Sequence, residues 1–261
     1  MLNSPSNTSA CCRQGFPEPS ANWALFLDFD GTLVDIAPRP QDVAVPASLI
    51  ATLQALYNAF GGAVALVSGR PIADIDRLVA PLKIPVAGQH GLEWRIAPGG
   101  KILHRGGDPA LLDDLRQRFA KLAADHPGIV VEDKTWSLSV HYRAEPETGP
   151  EIIALATDHM PEGEHLHLMH GKMVAEIKPA GIDKGKVVHS FLAEPPFAGR
   201  IPVFIGDDRT DEDGFAAVNA QGGISIRVGP RPASVDTSRA RWQCRDVDDL
   251  AAWLAALPEA I

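Results

Sequence analysis

Short apolar runs alternate with amphipathic stretches in the N-terminal part of the chain. The runs 24–28, 63–67 and 84–87 are each bounded by turn-forming or polar residues. Runs of this length between turns are typical of buried strands. Between the first two runs, apolar residues recur at helical spacing over 49–60 and stop at a Gly–Gly pair. This alternation of strand and helix predicts a parallel sheet whose strands are joined by right-handed crossovers.

The pattern changes in the middle of the chain, where strand-like runs follow one another as hairpins beside amphipathic helices. Such a mixture predicts a separate α+β unit. From Gly181 the alternation of helix and strand resumes and continues to the C-terminus. The predicted domains are a core formed by 23–94 and 179–261 and an inserted unit at 95–178.

The first twenty-two residues are rich in Ser, Asn and Pro and contain one basic residue and no apolar run. They predict a disordered leader at 1–22 rather than a secretory signal. The chain has three cysteines, and two of them, Cys11 and Cys12, are adjacent in this leader, so neither a disulfide framework nor a zinc site is predicted. No apolar run approaches membrane-spanning length. We therefore expect a cytoplasmic protein without a membrane partner.

The charge of the chain restricts its partners further. Asp and Glu number 33 against 24 Lys and Arg, which gives a net charge of −9. A chain with this balance lacks the broad basic surface that nucleic acid or anionic lipid requires. The AVILMFWYC fraction of 45% is ordinary for a globular protein and excludes disorder of the whole chain. We expect a monomer that binds a small molecule and no nucleic acid.

Acidic residues follow two of the predicted strands. Asp28 and Asp30 come after the first strand, and in an extended backbone their side chains would converge on one point. Close carboxylates are unfavourable unless they bind a cation or share a proton, so a metal site, an acid/base pair and a simple helix-capping loop all remain open. After the run 201–205, the segment 207–213 holds five acids in seven residues. That number exceeds what helix capping needs and favours Mg²⁺.

A hydroxyl and several cations also lie at strand ends or helix starts. Ser68 ends the second strand, where it could donate to a phosphate oxygen, and Arg70 could add positive charge. Lys184 comes at the start of a predicted helix, where free backbone amides already favour anions. Lys186 competes with it for the same role, and the sequence leaves that choice open.

Together these stretches resemble a known group of enzymes. The four motifs of the haloacid dehalogenase (HAD) superfamily of aspartyl phosphotransferases are similar to DFDGT (28–32), LVSGR (66–70), GIDKGK (181–186) and GDDRTDED (206–213). Within that superfamily, the trehalose-6-phosphate phosphatase family resembles this chain in DGTLVDIAPRP (30–40), GQHGLEWR (88–95), VEDKTWSLSVHYR (131–143), EIKPAGIDKG (176–185) and GDDRTDEDGF (206–215). The resemblance covers residues 23–257. It implies an α/β fold, a Rossmann-like parallel-sheet core with an inserted α+β cap of the C2 type.

The resemblance also implies roles for individual residues. Asp28 would be the nucleophile that forms an aspartyl-phosphate, and Asp30 would be the general acid and then the general base. Mg²⁺ would be bound by the Asp28 carboxylate, the Asp30 backbone carbonyl and Asp207. Residues implied to bind the phosphoryl group are Thr32, Ser68, Arg70 and Lys184. Residues implied to orient metal waters and the lysine are Asp208 and Asp211.

In the resembled family the inserted cap selects the sugar. Residues that match sugar-binding positions or are candidates for them are His90, Glu132, Lys134, His141, Glu176 and Lys178. The expected activity is hydrolysis of trehalose 6-phosphate to trehalose and phosphate with Mg²⁺. The alternatives are a phosphatase for sucrose phosphate or for a mannosyl-phosphoglycerate type of substrate, a sugar-phosphate sensor without activity, and phosphoryl transfer between sugar positions.

Overall fold

The structure is a computed structural model that describes residues 12–261 except for 38, 106, 107, 162, 164, 172 and 232–236. The chain divides into two compact units. One consists of Met1–Lys101 with Asp183–Ile261, and the other is Ile102–Ile182.

The secondary structure alternates over the N-terminal and C-terminal parts of the chain. The strands are β1 (Arg13–Gln14), β2 (Trp23–Leu27), β3 (Val64–Val67), β4 (Val86–Gly88), β5 (Glu93–Arg95), β6 (Leu103–His104), β7 (Val130–Asp133), β8 (Leu138–His141), β9 (Leu166–Gly171), β10 (Val174–Pro179), β11 (Ile201–Gly206), β12 (Ile224–Val228) and β13 (Trp242–Cys244). The helices are α1 (Ala47–Ala59), α2 (Ile72–Leu78), α3 (Asp113–Asp125), α4 (Gly149–His159), α5 (Lys184–Leu192), α6 (Asp211–Ala220) and α7 (Val247–Ala260).

The first unit is built on a mostly parallel sheet. Its strands lie in the order β1-β13-β12-β11-β2-β3-β4-β5, and each neighbouring pair is parallel except β4 with β5. Strand β2 lies between β3 and β11 and is buried at every residue. Phe26 and Phe204 pack against Phe191 of α5 and Phe215 of α6. Burial on both faces explains why these strands are continuous apolar runs.

The second unit contains an antiparallel sheet with the strand order β7-β8-β10-β9. Successive strand residues point to opposite faces, so one face can be apolar and the other polar. Val140 and Ala175 belong to the apolar face, which packs with Phe119 of α3 and Ile152 of α4. The predicted parallel α/β core with a separate α+β unit is confirmed.

The unit boundaries differ from the predicted insertion at 95–178, because the observed second unit begins at Ile102 and ends at Ile182. Arg95 belongs to the first unit because β5 pairs with β4. Its buried guanidinium also binds both carboxylate oxygens of Asp76, at 2.8 Å each. The sequence pattern marked the start of a hairpin at this point but could not show which sheet its first strand joins.

Part of the predicted disordered leader is ordered, which corrects that prediction. Residues 1–11 lie outside the described residues, but Arg13 and Gln14 form a parallel pair with β13. The Phe16 ring stacks on Trp253 of α7 with a centroid distance of 4.4 Å. Backbone pairing and one aromatic contact thus order a segment whose composition alone indicated disorder. Among the described helices, none has the length and apolar character needed to cross a lipid bilayer.

Candidate active site

The polar side chains predicted from the sequence lie at the carboxyl ends of three neighbouring strands of the first unit. Asp28 follows β2, Ser68 follows β3 and Asp207 follows β11. Lys184 and Asp211 are the first residues of α5 and α6. In open parallel sheets this edge is where ligands bind.

Asp28 is buried and both oxygens of its carboxylate are bound. Lys184 Nζ donates to Oδ1 at 2.7 Å, and Thr32 Oγ1 lies 3.1 Å from Oδ2. The same Thr32 hydroxyl oxygen lies 3.3 Å from Asp207 Oδ1. Gly31 has a φ of +84°, so the chain turns back after the first motif and brings the threonine to the aspartate.

The structure brings Lys184 to the acidic group and leaves Lys186 outside it. The side chain of Lys184 is 3% exposed, whereas that of Lys186 is 56% exposed and lies near Asp183. Lys184 Nζ also donates to Asp211 Oδ1 at 2.6 Å. Burial opposes the charge of Lys184, but the carboxylates of Asp211 and Asp28 outweigh it and raise the pKa of this lysine.

Asp211 is held by the loop that precedes it. Its Oδ2 accepts hydrogen bonds from the backbone amides of Asp207 and Asp208, both at 3.0 Å. Asp208 turns its own carboxylate toward the backbone amide and hydroxyl of Thr210. Asp208 therefore caps the loop, and it is Asp211 that contacts the lysine directly.

Three carboxylates form a cluster that could hold a metal ion. One oxygen from each of Asp28, Asp207 and Asp211 lies within 4.8 Å of the others. Burial and the neighbouring carboxylates raise the pKa of Asp28 and of Asp207 to about 7. Burial and Asp28 likewise raise the pKa of Asp211 to about 8. This excess of buried negative charge fits a divalent cation, which would compensate it.

The carboxylate of Asp30 does not converge with that of Asp28, contrary to the expectation from the sequence. Among the described residues it is not part of the acidic cluster, because its carboxylate binds Arg70. Arg70 Nε donates to Oδ2 at 2.6 Å and Nη2 donates to Oδ1 at 2.7 Å. The Arg70 amide donates to Ser68 Oγ at 3.1 Å. The guanidinium predicted to bind phosphate is thus engaged by the predicted acid/base.

The turn at 89–91 packs against the turn at 68–70 that follows β3. The His90 ring lies over Gly69, where a Cβ atom would come within 2.8 Å of the imidazole Nε2. Glu93 joins the two turns, because its carboxylate accepts from the Ile72 amide at 2.8 Å and from Gln89 Nε2 at 2.9 Å. Gln89 and Glu93 were not predicted from the sequence. Their only signal was their place in GQHGLEWR, where Gln89 lies between two glycines and Glu93 begins a strand.

Most of the predicted sugar-binding residues lie together in the second unit. Glu132 Oε2 is 3.2 Å from His141 Nε2, and Lys134 Nζ is 3.8 Å from carboxylate oxygens of Glu132 and Glu176. Strand pairing aligns Glu132 and Glu176 with the same residue of β8, so both point away from the apolar face. Lys178 lies two residues further along the same face and is buried.

Comparison with known proteins agrees with this architecture. Residues 26–248 match the trehalose-phosphatase family. The trehalose-6-phosphate phosphatase of Escherichia coli (strain K12) is 39% identical over 246 residues, which cover 94% of this chain and 90% of that protein. The C-terminal domain of the trehalose-6-phosphate phosphatase of C. albicans superposes with a TM-score of 0.78 at 21% identity, over 93% of each chain. A HAD-superfamily phosphatase from Bacteroides thetaiotaomicron has a TM-score of 0.59 at 17% identity, over 99% of each chain.

The parallel-sheet fold is shared with a HAD-superfamily phosphatase. The family match and the curated relative define a phosphatase, an enzyme that hydrolyses a phosphoric monoester. The family match over residues 26–248 and the 39% identity to the Escherichia coli protein identify one family within this class of phosphatases. The chain belongs to the trehalose-phosphatase family. The resemblance stated from the sequence is therefore confirmed, whereas the roles of individual residues stay predictions.

Proposed function

We propose that this chain hydrolyses trehalose 6-phosphate to trehalose and phosphate through an aspartyl-phosphate on Asp28. The observation that carries the proposal is the environment of Asp28 in a member of the trehalose-phosphatase family. One of its oxygens is bound by a buried ammonium group and the other lies beside a hydroxyl. A carboxylate fixed at the end of a parallel strand can present an oxygen to phosphorus without a general base to activate it.

In the first step an Asp28 oxygen attacks phosphorus, and the bond from phosphorus to the sugar oxygen breaks. Asp30 donates a proton to that leaving oxygen. In the second step water attacks the phosphorus of the aspartyl-phosphate, Asp30 accepts the proton of the water, and the Asp28 carboxylate is released with inorganic phosphate. We assign Lys184, Thr32 and Ser68 to the phosphoryl oxygens, whose developing charge they stabilise.

We assign the acidic cluster to Mg²⁺, with the carboxylates of Asp28 and Asp207 and the backbone carbonyl of Asp30 as protein ligands. Asp211 is a poorer ligand, because Lys184 and two backbone amides already bind its oxygens. When bound, the ion supplies the positive charge that lets an anionic nucleophile approach an anionic ester. The raised pKa values of Asp28 and Asp207 support this assignment.

We assign sugar recognition to the polar face of the second unit's sheet. Glu132, Lys134, His141 and Glu176 supply hydrogen-bond donors and acceptors for hydroxyls. A sugar with the wrong arrangement of hydroxyls leaves a partly buried polar group unpaired, and this lowers the affinity for that sugar. Such a face therefore discriminates between sugars. His90 and Lys178 complete the set proposed to bind substrate. We further propose that the enzyme is a cytoplasmic monomer, which light scattering of the purified chain tests for oligomeric state.

A substrate panel tests the proposal. Phosphate release is measured with trehalose 6-phosphate, sucrose 6-phosphate, a mannosyl-phosphoglycerate and p-nitrophenyl phosphate, each with Mg²⁺ and with a chelator. We expect turnover of trehalose 6-phosphate that exceeds the other sugar esters and stops with the chelator. Faster turnover of another sugar ester would reject the assigned substrate, and an enzyme inert toward all four esters would favour a sensor.

A further inference from the structure

The carboxylate of Asp30 is held by one side chain at two points. Its two oxygens accept from Arg70 Nη2 and Nε at 2.7 and 2.6 Å. The Arg70 side chain is 11% exposed and that of Asp30 is 31% exposed, so solvent screens the pair only in part. A two-point contact between planar groups sets orientation as well as distance. Arg70 therefore determines where both oxygens of Asp30 lie.

The backbone of Arg70 is itself fixed by the neighbouring turn. Its carbonyl accepts from the Gln89 amide at 2.9 Å, and Glu93 binds the Gln89 side chain and the Ile72 amide. Gln89 and His90 have φ angles of 48° and 56°, a conformation that residues other than glycine rarely adopt. Two consecutive residues held in this way indicate that the surrounding contacts impose a specific shape on the turn.

We propose that Arg70 is a positioning residue that holds Asp30 as the base of the hydrolytic step. The proposal rests on the proposed function. In that step the water oxygen bonds to phosphorus, and the bond from phosphorus to Asp28 breaks with its electron pair returning to the carboxylate. The proton of the water moves to Asp30. An ionised carboxylate that is aligned at two points is the form that this step requires.

Arg70 was also predicted to bind the phosphoryl group, and the geometry separates the two roles. A guanidinium that binds phosphate through Nε and Nη2 would have to release Asp30 first. Lys184 already supplies a buried cation beside Asp28. Positioning of Asp30 therefore uses Arg70 Nε and Nη2 as the structure has them, whereas binding of phosphate through the same two donors requires the pair to break.

The test compares Arg70→Met and Arg70→Lys with Arg77→Met as the control. Arg77 lies in the same unit, is exposed and forms an ion pair with Asp74. For each enzyme with Mg²⁺, kcat, kcat/KM, the inhibition constant of inorganic phosphate and the fraction of phosphoenzyme after acid quenching are measured. The value of kcat/KM reports steps up to formation of the phosphoenzyme, whereas kcat includes its hydrolysis.

We expect Arg70→Met to lower kcat about 30- to 100-fold, at or below the roughly 100-fold lower end for loss of a general base, because Asp30 remains but is misaligned. We expect kcat/KM to fall less than about fivefold, since without Arg70 Asp30 can still carry a proton to the leaving oxygen. The phosphoenzyme fraction should rise, and the inhibition constant of phosphate should stay within about twofold of the wild type. Arg70→Lys should show the same pattern more weakly, because lysine keeps the positive charge but lacks the planar pair of donors that aligns both carboxylate oxygens.

A parallel fall of kcat and kcat/KM with weaker phosphate inhibition would overturn the proposal in favour of phosphate binding. Unchanged kinetics of both variants would also overturn it. If Arg70→Met does not fold, the pattern of Arg70→Lys decides. If the wild type does not turn over trehalose 6-phosphate, the measurements use the ester that it hydrolyses fastest, so an error in the substrate stays distinguishable from an error about Arg70.

Discussion

Lys184 shows how a single side chain acquires its role from its surroundings. The motif GIDKGK contains two lysines, and from the sequence either one could bind an anion at the start of the helix. Asp183 caps this helix by accepting from the Lys186 amide, and the first turn then directs Lys184 inward between Asp28 and Asp211. Lys186, two residues later, points to solvent.

Replacement of Lys184 by Met should therefore lower kcat by about 100- to 1,000-fold, because a buried donor to the reacting group is lost. Lys186→Met is the matched control and should stay within about twofold of the wild type, as exposed positions away from such contacts tolerate change. Phosphate release with Mg²⁺ measures both, with circular dichroism to verify folding. A large loss in Lys186→Met with an active Lys184→Met would contradict the assignment.

Among the secondary-structure elements, the turn between β11 and α6 positions two of the site's carboxylates, those of Asp207 and Asp211. Gly206 ends the strand, and a Cβ atom at this position would collide with the side chain of Asp211. The close approach lets Asp211 accept from two backbone amides and still reach Lys184. The glycine is thus required by close packing, since its φ is not in the left-handed region.

We expect Gly206→Ala to destabilise the fold by about 1–3 kcal/mol through overpacking, and to reduce activity at least about tenfold because Asp211 must move. Gly222→Ala, just beyond the other end of α6, is the control. It has a φ of +71° and open space around it, so it should lose stability by roughly 1 kcal/mol while activity persists. Chemical denaturation and turnover check both. Equal activity of the two variants would contradict a role for the Gly206 contact.

For the whole molecule, the acidic cluster couples stability to pH and to the cation. The pKa values of Asp28 and Asp207 in the folded chain are raised to about 7, and that of Asp211 to about 8. Because the folded state then binds more protons than the unfolded state, these groups favour folding most below about pH 4. Their contribution is lost as the pH rises through 7 to 8, where the carboxylates ionise beside one another.

A divalent cation should reverse that loss, so Mg²⁺ should stabilise the protein more at pH 8 than at pH 5.5. At about 100 times its dissociation constant we expect a rise in Tm of roughly 3–6 °C at pH 8, and about 1 °C or less at pH 5.5, where the ion competes with protons. Differential scanning calorimetry with Mg²⁺ and with a chelator measures the shift. Asp207→Asn should reduce the shift at pH 8, and equal shifts at both pH values would refute proton competition.

The sequence alone predicted the parallel sheet, the separate α+β unit and the membership of the family. Apolar runs report burial on both faces of a strand, and the motifs lie where such strands end, so local pattern carried this information. The boundaries of the predicted leader and of the inserted unit were predicted less accurately from the sequence. Residues 12–22 are ordered by pairing with β13 and by stacking of Phe16 on Trp253, contacts with partners more than two hundred residues away.

The tertiary structure alone decided which charged groups meet. It paired Asp30 with Arg70 rather than with Asp28, chose Lys184 over Lys186 and placed Asp211 beside the lysine. A motif specifies which chemical groups stand at the end of a strand. The direction in which each group points depends on turns such as those at Gly31 and Gln89, and on partners 27 to 156 residues away along the chain. Local periodicity does not report contacts between residues so far apart in the sequence, because these contacts form only when the sheet has assembled.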